Sequence, residues 1–443
     1  MANPPFRVII VGAGPVGLYM AHAMERAEIE YVVVEKNSTV LNPSGQLLFT
    51  WPQTVRLFDQ LGIYKELSSV ALPMHYKKRV YGHDGRVTST NRFWDFMERS
   101  HGYPFLPMLR SDLVAILFHS LKGRNANVHT STEVVGIEST ANGVRVHARS
   151  GLAVEGSVVV GADGVHSKTS VLMRELANDS TAGQMISSFY GIFGRASIHD
   201  LPIEPEVFFE SRGAGAVIQC LGTTETLQFV ALKPLEEPSA ARRKYTRQEM
   251  EDYAKSIGDV ALCPGIRFKD VWKKARKDET TMLNQEEGFT SRWFHGRIVL
   301  VGDAVHKSTS VNGLGMTCGL HSAAVLANGL HQAVSSATAD ESPSVERLEQ
   351  CFARYQQDRE AEVKPIWAAG YSMIREVTRQ SWLSWFWDSY VLPWIDIERL
   401  GWGIVPSVFL VRQGHILAYV PFLGREGIIP WVRRPLAHQK LGG

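Results

Sequence analysis

The stretch "RVIIVGAGPVGLYMAHAMERAEIEYVVVEK", Arg7 to Lys36, decides how this chain folds. Arg7 to Val11 is a short β-branched run, the pattern of a parallel strand buried on both faces. Gly12, Gly14 and Gly17 follow as GxGxxG. In that motif the first glycine permits a tight turn, the second lets backbone approach a pyrophosphate, and the third lets helix and strand pack closely. Leu18 and Ala21 come next at helical spacing and can pack inward. A second apolar run, "YVVVEK", ends at Glu35, 23 residues after Gly12, where an acid accepts hydrogen bonds from an adenosine ribose. Strand, glycine turn, helix and second strand together predict nucleotide binding at the carboxyl end of a parallel sheet. The alternative is a glycine-rich turn beside a solvated Glu35. GxGxxG alone does not separate NAD from FAD.

Two further apolar runs end in the same way. "SVVVGADGVHSK" stops at Asp163-Gly164, and "GRIVLVGDAVHK" stops at Gly302-Asp303. An acid beside a glycine at a carboxyl strand end can hold a ribityl or ribose hydroxyl while backbone passes close to phosphate or ring. After the third run, Asn312 to Gly315 lead into another helix whose N-terminal N–H groups can face a pyrophosphate. The three motifs, in this order, resemble those of the group A flavoprotein monooxygenases, the single-component FAD-dependent aromatic hydroxylases and epoxidases. Within that group the pattern is most similar to fungal epoxidases of indole alkaloids and meroterpenoids. The resemblance covers most of the chain. It implies FAD held by Gly12, Gly14, Gly17, Glu35, Lys36, Arg110, Asp163, Gly302, Asp303, Gly313, Gly315 and Met316, with NADPH, in preference to NADH, and molecular oxygen as co-substrates. No second GxGxxG occurs, which disfavours flavin enzymes with a separate NADPH-binding domain.

The chain departs from that family's pattern at named places. Ser310, Thr317 and Ser322 stand where relatives usually carry Pro, Asn and Asp, and Phe49 in "PSGQLLFT" stands where the fungal relatives tend to have a second glycine. These changes bear on flavin movement and on the handling of NADPH. His306 is either a catalytic group or a packed loop histidine.

Between the motifs the periodicity changes. "PMLRSDLVAILFHSL" has Leu109, Leu113, Ile116, Leu117 and Leu121 at helical spacing, opened by Arg110. That Arg is either an exposed first-turn residue or, as the resemblance implies, a cation at the FAD phosphates. "STEVVGIESTANGVRVHARSG" predicts a hairpin with Asn142-Gly143 at its turn. "SSFYGIFGRASI", "GAVIQCLG" and "TLQFVALKPL" predict an antiparallel sheet that walls a substrate cavity. Arg195 lies inside the first of these. A lone Arg in a strand usually lies on the solvated face, but the resemblance implies a place near the flavin, where Arg195 would act as the catalytic group on the transferred oxygen. The stretch "SSATADESPS" predicts a polar linker. A long helical pattern follows, and Pro365 should kink or end it. The Trp-rich tail "SWLSWFWDSYVLPWIDIERLGWGIVPSVFLV" has no apolar run of the roughly 20 residues that span a bilayer. It predicts aromatic cover of the cavity, with weak contact at a membrane surface as the alternative.

The fold expected is therefore α/β: a Rossmann-type FAD-binding domain with an inserted antiparallel β-sheet substrate domain and a C-terminal helical segment. The boundaries expected are 1–72, 101–182 and 283–335 for the FAD-binding domain, 73–100 and 183–282 for the substrate domain, and 336–443 for the helical region and tail. At 443 residues the chain suits two or three domains. A net charge of +2 gives no basic footprint for nucleic acid. Cys220, Cys263, Cys318 and Cys351 have no metal-ligand spacing and suit reduced thiols in a cytoplasmic protein. No metal and no obligate protein partner are expected. The substrate expected is a bulky apolar aromatic molecule such as a prenylated indole alkaloid, epoxidised or hydroxylated, with a spiro-oxindole as one rearranged product. The alternatives are epoxidation of a meroterpenoid prenyl chain, and an isomerase or cyclase using the same fold without net redox.

Overall fold

A computed structural model describes residues 5–42, 46–180, 185–337, 342–378, 382–391 and 410–434. Arg7–Val11 is the centre of a six-stranded sheet. It pairs in parallel with Glu30–Val34 on one side and Val158–Gly161 on the other, and Ile298–Leu300 continues the parallel order beyond Val158–Gly161. Val8, Ile9, Ile10 and Val158 to Val160 have no solvent exposure. That is why these runs are continuously apolar and not alternating. Burying each such side chain stabilises the fold by about 1.5–3 kcal/mol. The helix Pro15–Arg26 is buried from Gly17 to Met24 and packs against the helix Gly315–Ser335.

The second large layer is an eight-stranded sheet. Its centre is Ile186–Ser197, flanked by Thr281–Phe289 and by Thr226–Ser239, then Ala216–Gly222 and Val207–Gly213, all antiparallel. Val207–Gly213 pairs in parallel with Tyr76–Tyr81, so the expected antiparallel sheet is mixed at that one pair. One face carries a core of its own, with Ile192, Ala196, Phe229, Phe268 and Trp272. The two layers are joined at the third motif: His306 and Lys307 pair with Phe289 and Gly288 at the edge of the eight-stranded sheet. Asp303 and the eight-stranded sheet are thereby pinned to one another.

The hairpin expected at Asn142-Gly143 forms between Val134–Ser139 and Val144–Ala148, and the Thr140 hydroxyl accepts both turn N–H groups. Pro365 does not end its helix: Val345–Val377 runs through it as 33 residues. One lost N–H is tolerated there because Phe352, Tyr355, Val363 and Ile374 bury the helix on either side. Residues 410–434 return to the parallel-sheet layer, where the Gln60 amide donates to the carbonyls of Leu417 and Val420 at 2.7 Å. The expected aromatic cover is not formed by the described part of the Trp-rich stretch: Trp382 is 77% exposed and Trp387 45%. Residues 381 and 392–409 of that stretch, 338–341 of the polar linker and 43–45 of "PSGQLLFT" lie outside the described residues. Among the described residues no helix is long and apolar enough to cross a membrane.

Candidate active site

The parallel strands deliver their carboxyl ends to one side of a cavity of about 900 Å³. Gly12 lies at φ +103°, and a Cβ there would sit 2.7 Å from the Ala162 carbonyl oxygen. A Cβ on Gly17 would sit 1.9 Å from the Gly12 oxygen. Strand and helix therefore touch with no room for a side chain. Gly14 is the N-cap of Pro15–Arg26, and no side chain caps that end. Leu314 likewise leaves Gly315–Ser335 uncapped. Gly14, Pro15 and Val16 from one helix and Gly315 and Met316 from the other line the same cavity. Two helix N-termini with orphan N–H groups thus face one space, an arrangement that fits a diphosphate. Gly313 also lines it.

Arg110 lines this space as well, held by the strand pair Leu47–Thr50 with Leu106–Leu109 and by its own N–H on the Gln46 carbonyl at 2.9 Å. Burial lowers its pKa, opposed by Asp303 and Glu35. It is a partly buried cation under the influence of two carboxylates, not an exposed first-turn residue. Asp303 lines the cavity, with one oxygen 2.6 Å from the Lys307 ammonium. Burial alone would lower the pKa of Lys307; the Asp303 carboxylate outweighs it and the pKa is raised. Gly302, at φ +69°, lies against Val16 and lets the strand turn toward Asp303.

Glu35 is buried, and both its oxygens are already engaged. Oε2 accepts the Ala13 N–H at 2.9 Å, and Oε1 accepts from Asn37 N–H at 2.9 Å and Nδ2 at 2.6 Å. Oε2 retains a lone pair for a ribose hydroxyl, whereas both acceptor sites of Oε1 are taken. Lys36, next to it, is exposed and outside the described cavity lining. Asp163 departs from its expected role. Its carboxylate accepts from Ser167 Oγ at 2.5 Å and from Thr169 N–H and Oγ1 at 3.0 and 3.1 Å. The positive end of the helix Lys168–Leu176 captures it, and its neighbours Ala162, Gly164 and Val165 reach the cavity instead. His306 is a packed histidine: Nε2 is 3.2 Å from Ser322 Oγ and the ring lies 5.6 Å from Trp293. Burial and the nearby Arg359 push its pKa down to about 4.

The opposite wall has an apolar part, with Phe193, Phe208 and Met282 from the large sheet and Leu48 and Phe49 from the strand Leu47–Thr50. Arg195, two residues past Phe193, is not among the described residues that line the cavity. The short turn Lys277–Glu279 folds back on its strand, so that the Arg195 guanidinium is ion-paired with Glu279, whose carboxylate Arg276 also reaches at 3.2 Å. The free cation expected beside the reacting ring is neutralised at the strand end. Sequence reasoning missed Phe208 and Gln219. It also missed what lies behind them, a second cavity of about 60 Å³ lined by Trp51, Phe93, Trp94 and Phe105, with Glu210 at its edge. Glu210 has no exposure and meets Arg212 at 2.7 Å, Lys77 at 3.5 Å and the Gln219 amide at 3.1 Å. Burial alone would raise its pKa; Lys77, Arg212 and Arg79 outweigh it and the pKa is lowered. The alternation in "EVFFESRG" was a usable signal for this cluster, because charged residues recur on one face of an otherwise apolar strand.

Uncapped helix ends, a partly buried Arg, a strand-end Asp and aromatic side chains on one cavity fit a flavin nucleotide. The chain belongs to the FAD binding domain family, which it matches over residues 6–344. It is 58% identical over 443 residues to the FAD-dependent monooxygenase srdH of Neurospora crassa, covering 97% of this chain and 99% of that one. It is 29% identical over 450 residues to the FAD-dependent monooxygenase dpasE of Apiospora sacchari, covering 98% and 91%. Its fold is similar to that of Klebsiella pneumoniae HpxO complexed with FAD and uric acid, at a TM-score of 0.76 and 18% identity, covering 91% of this chain and 96% of that one. The chain is an FAD-dependent enzyme of the monooxygenase class, and the reading without net redox gives way to it.

Proposed function

We propose that this enzyme uses NADPH and oxygen to epoxidise or hydroxylate a bulky, apolar, aromatic substrate of fungal secondary metabolism, a prenylated indole alkaloid being the best fit. The single observation that carries the substrate class is the lining of a cavity of about 900 Å³ by Phe49, Phe193 and Phe208. Cavities of this size take drug-sized ligands, and aromatic walls favour flat apolar ones. FAD, when bound, supplies the oxidising chemistry. The residues of this chain do the rest. Gly14 and Gly315 offer N–H groups to phosphate, Asp303 accepts a ribityl hydroxyl, and Arg110 offsets negative charge. The phenylalanine wall excludes water and holds the reacting double bond over the ring. The relatives srdH and dpasE are FAD-dependent monooxygenases of fungi, which supports the reaction class and the setting.

The test is oxygen-18 incorporation. FAD-loaded protein is incubated with NADPH, labelled oxygen and a panel of prenylated indoles and prenylated meroterpenoids. One labelled oxygen atom in an indole product is expected. Label only in a meroterpenoid product would move the substrate class, and no NADPH-dependent oxygen uptake with any panel member would overturn the proposal.

A further inference from the structure

A basic loop borders the same cavity. "ARRKYTR", residues 241–247, links the strand Thr226–Ser239 to the helix Arg247–Ser256. Arg242, Arg243, Lys244 and Arg247 line the cavity together with Gly14 and Asp303. The loop is held in place. The Tyr245 hydroxyl donates to Asn284 Oδ1 at 2.5 Å, its ring stacks on Tyr190 at 5.9 Å, and Thr246 closes a capping box with Glu249.

Its charges are only partly neutralised. Arg243 meets Glu249 at 2.6 Å, and Arg247 meets Asp278 at 3.8 Å. Arg242 and Lys244 are exposed, and neither has an ion-pair partner among the described residues. On the opposite lip His166 lies 3.6 Å from Glu286. Its pKa is lowered, by burial first and then by Arg242, Lys36 and Lys307, with Glu286 opposing. Arg242, Arg243, Lys244 and Arg247 of the loop and Lys307 of the third motif therefore put positive charge on one cavity. The flavin diphosphate does not account for it, because the two helix N-termini and Arg110 already face that group from the other side.

We propose that Arg242 and Lys244 receive the 2′-phosphate of NADPH, making the 241–247 loop the docking site of the reductant. A phosphomonoester dianion suits an Arg fork beside a Lys point charge, and charge-assisted bonds to it are the strong ones. The inference rests on NADPH being the reductant, as argued above. It also explains how a chain with one nucleotide-binding motif distinguishes NADPH from NADH: the selectivity lies in a loop of the substrate sheet.

The experiment is calorimetric binding of 2′,5′-ADP and of AMP to the FAD-loaded protein. Wild type is expected to bind 2′,5′-ADP about tenfold or more tightly than AMP, and the preference should weaken with added salt. The double variant Arg242→Ala/Lys244→Ala should lose the preference with FAD per chain unchanged. Arg242→Lys/Lys244→Arg should keep most of it. Absence of the preference in wild type, its persistence in the double Ala variant, or loss of FAD with the two cations would each overturn the docking site. Anaerobic mixing of wild type with NADPH separates the two readings. Flavin bleaching without a 2′-phosphate preference overturns the loop alone, whereas no bleaching with NADPH overturns the reductant reading itself.

Discussion

The two ends of the cavity are made of different material. At the Gly12–Gly17 end the working atoms are backbone N–H groups and carbonyls, packed so closely that a Cβ on Gly17 would lie 1.9 Å from an oxygen. At the Phe193–Phe208 end the working atoms are side chains, contributed by separate strands of the eight-stranded sheet. A backbone cradle recognises what every FAD has in common and tolerates no added carbon. A side-chain wall tolerates exchange, and each exchange alters what fits against it. The function proposed above divides the cavity accordingly, cofactor at one end and substrate at the other, and His306–Lys307 pairs with the edge of the eight-stranded sheet.

The comparison can be broken hardest at Gly17. Gly17→Ala places a methyl inside van der Waals contact with the Gly12 carbonyl, so the helix Pro15–Arg26 must lift from its strand. The expected outcome is protein without FAD and without a cooperative thermal transition, read by flavin absorbance and calorimetry. A folded, yellow Gly17→Ala protein would show that the cradle is not built as described. The next effect belongs to the wall's support. Glu210→Ala removes a fully buried carboxylate that meets Lys77 and Arg212, for a loss of about 3–5 kcal/mol. Urea unfolding checks it, and a change below about 1 kcal/mol, the scale of an exposed ion pair, would show that water reaches that cluster.

What was legible in the sequence follows the same division. Gly12, Gly14, Gly17 and Glu35 act within one short segment, and Gly302-Asp303 within another, so their spacing carried the geometry. Arg110 was legible because it opens a helix that follows a strand. Asp163 was not, because its carboxylate answers to Ser167 and Thr169 on the next helix, and a strand-end acid looks the same whether a ligand or a helix takes it. The partner of Arg195 was hidden for a related reason. Strand alternation says which face a residue shares with Phe193 but not that Glu279, 84 positions away, will pair with it. The loop 241–247 gave only a run of charges, and nothing in a run shows that it borders a cavity.

The smallest effect is the most direct test of the division itself: the FAD dissociation constant of Asp303→Ala beside that of Phe49→Leu. Asp303 lines the cradle and Phe49 the wall. Loss of a charged acceptor for a buried hydroxyl is worth about 1.5–3 kcal/mol, so Asp303→Ala should weaken FAD binding roughly 10- to 150-fold. Phe49→Leu should leave FAD affinity within about twofold of wild type while changing which substrates perturb the flavin spectrum. Equal weakening in both variants, or none in Asp303→Ala, would contradict a cavity divided between cofactor cradle and substrate wall.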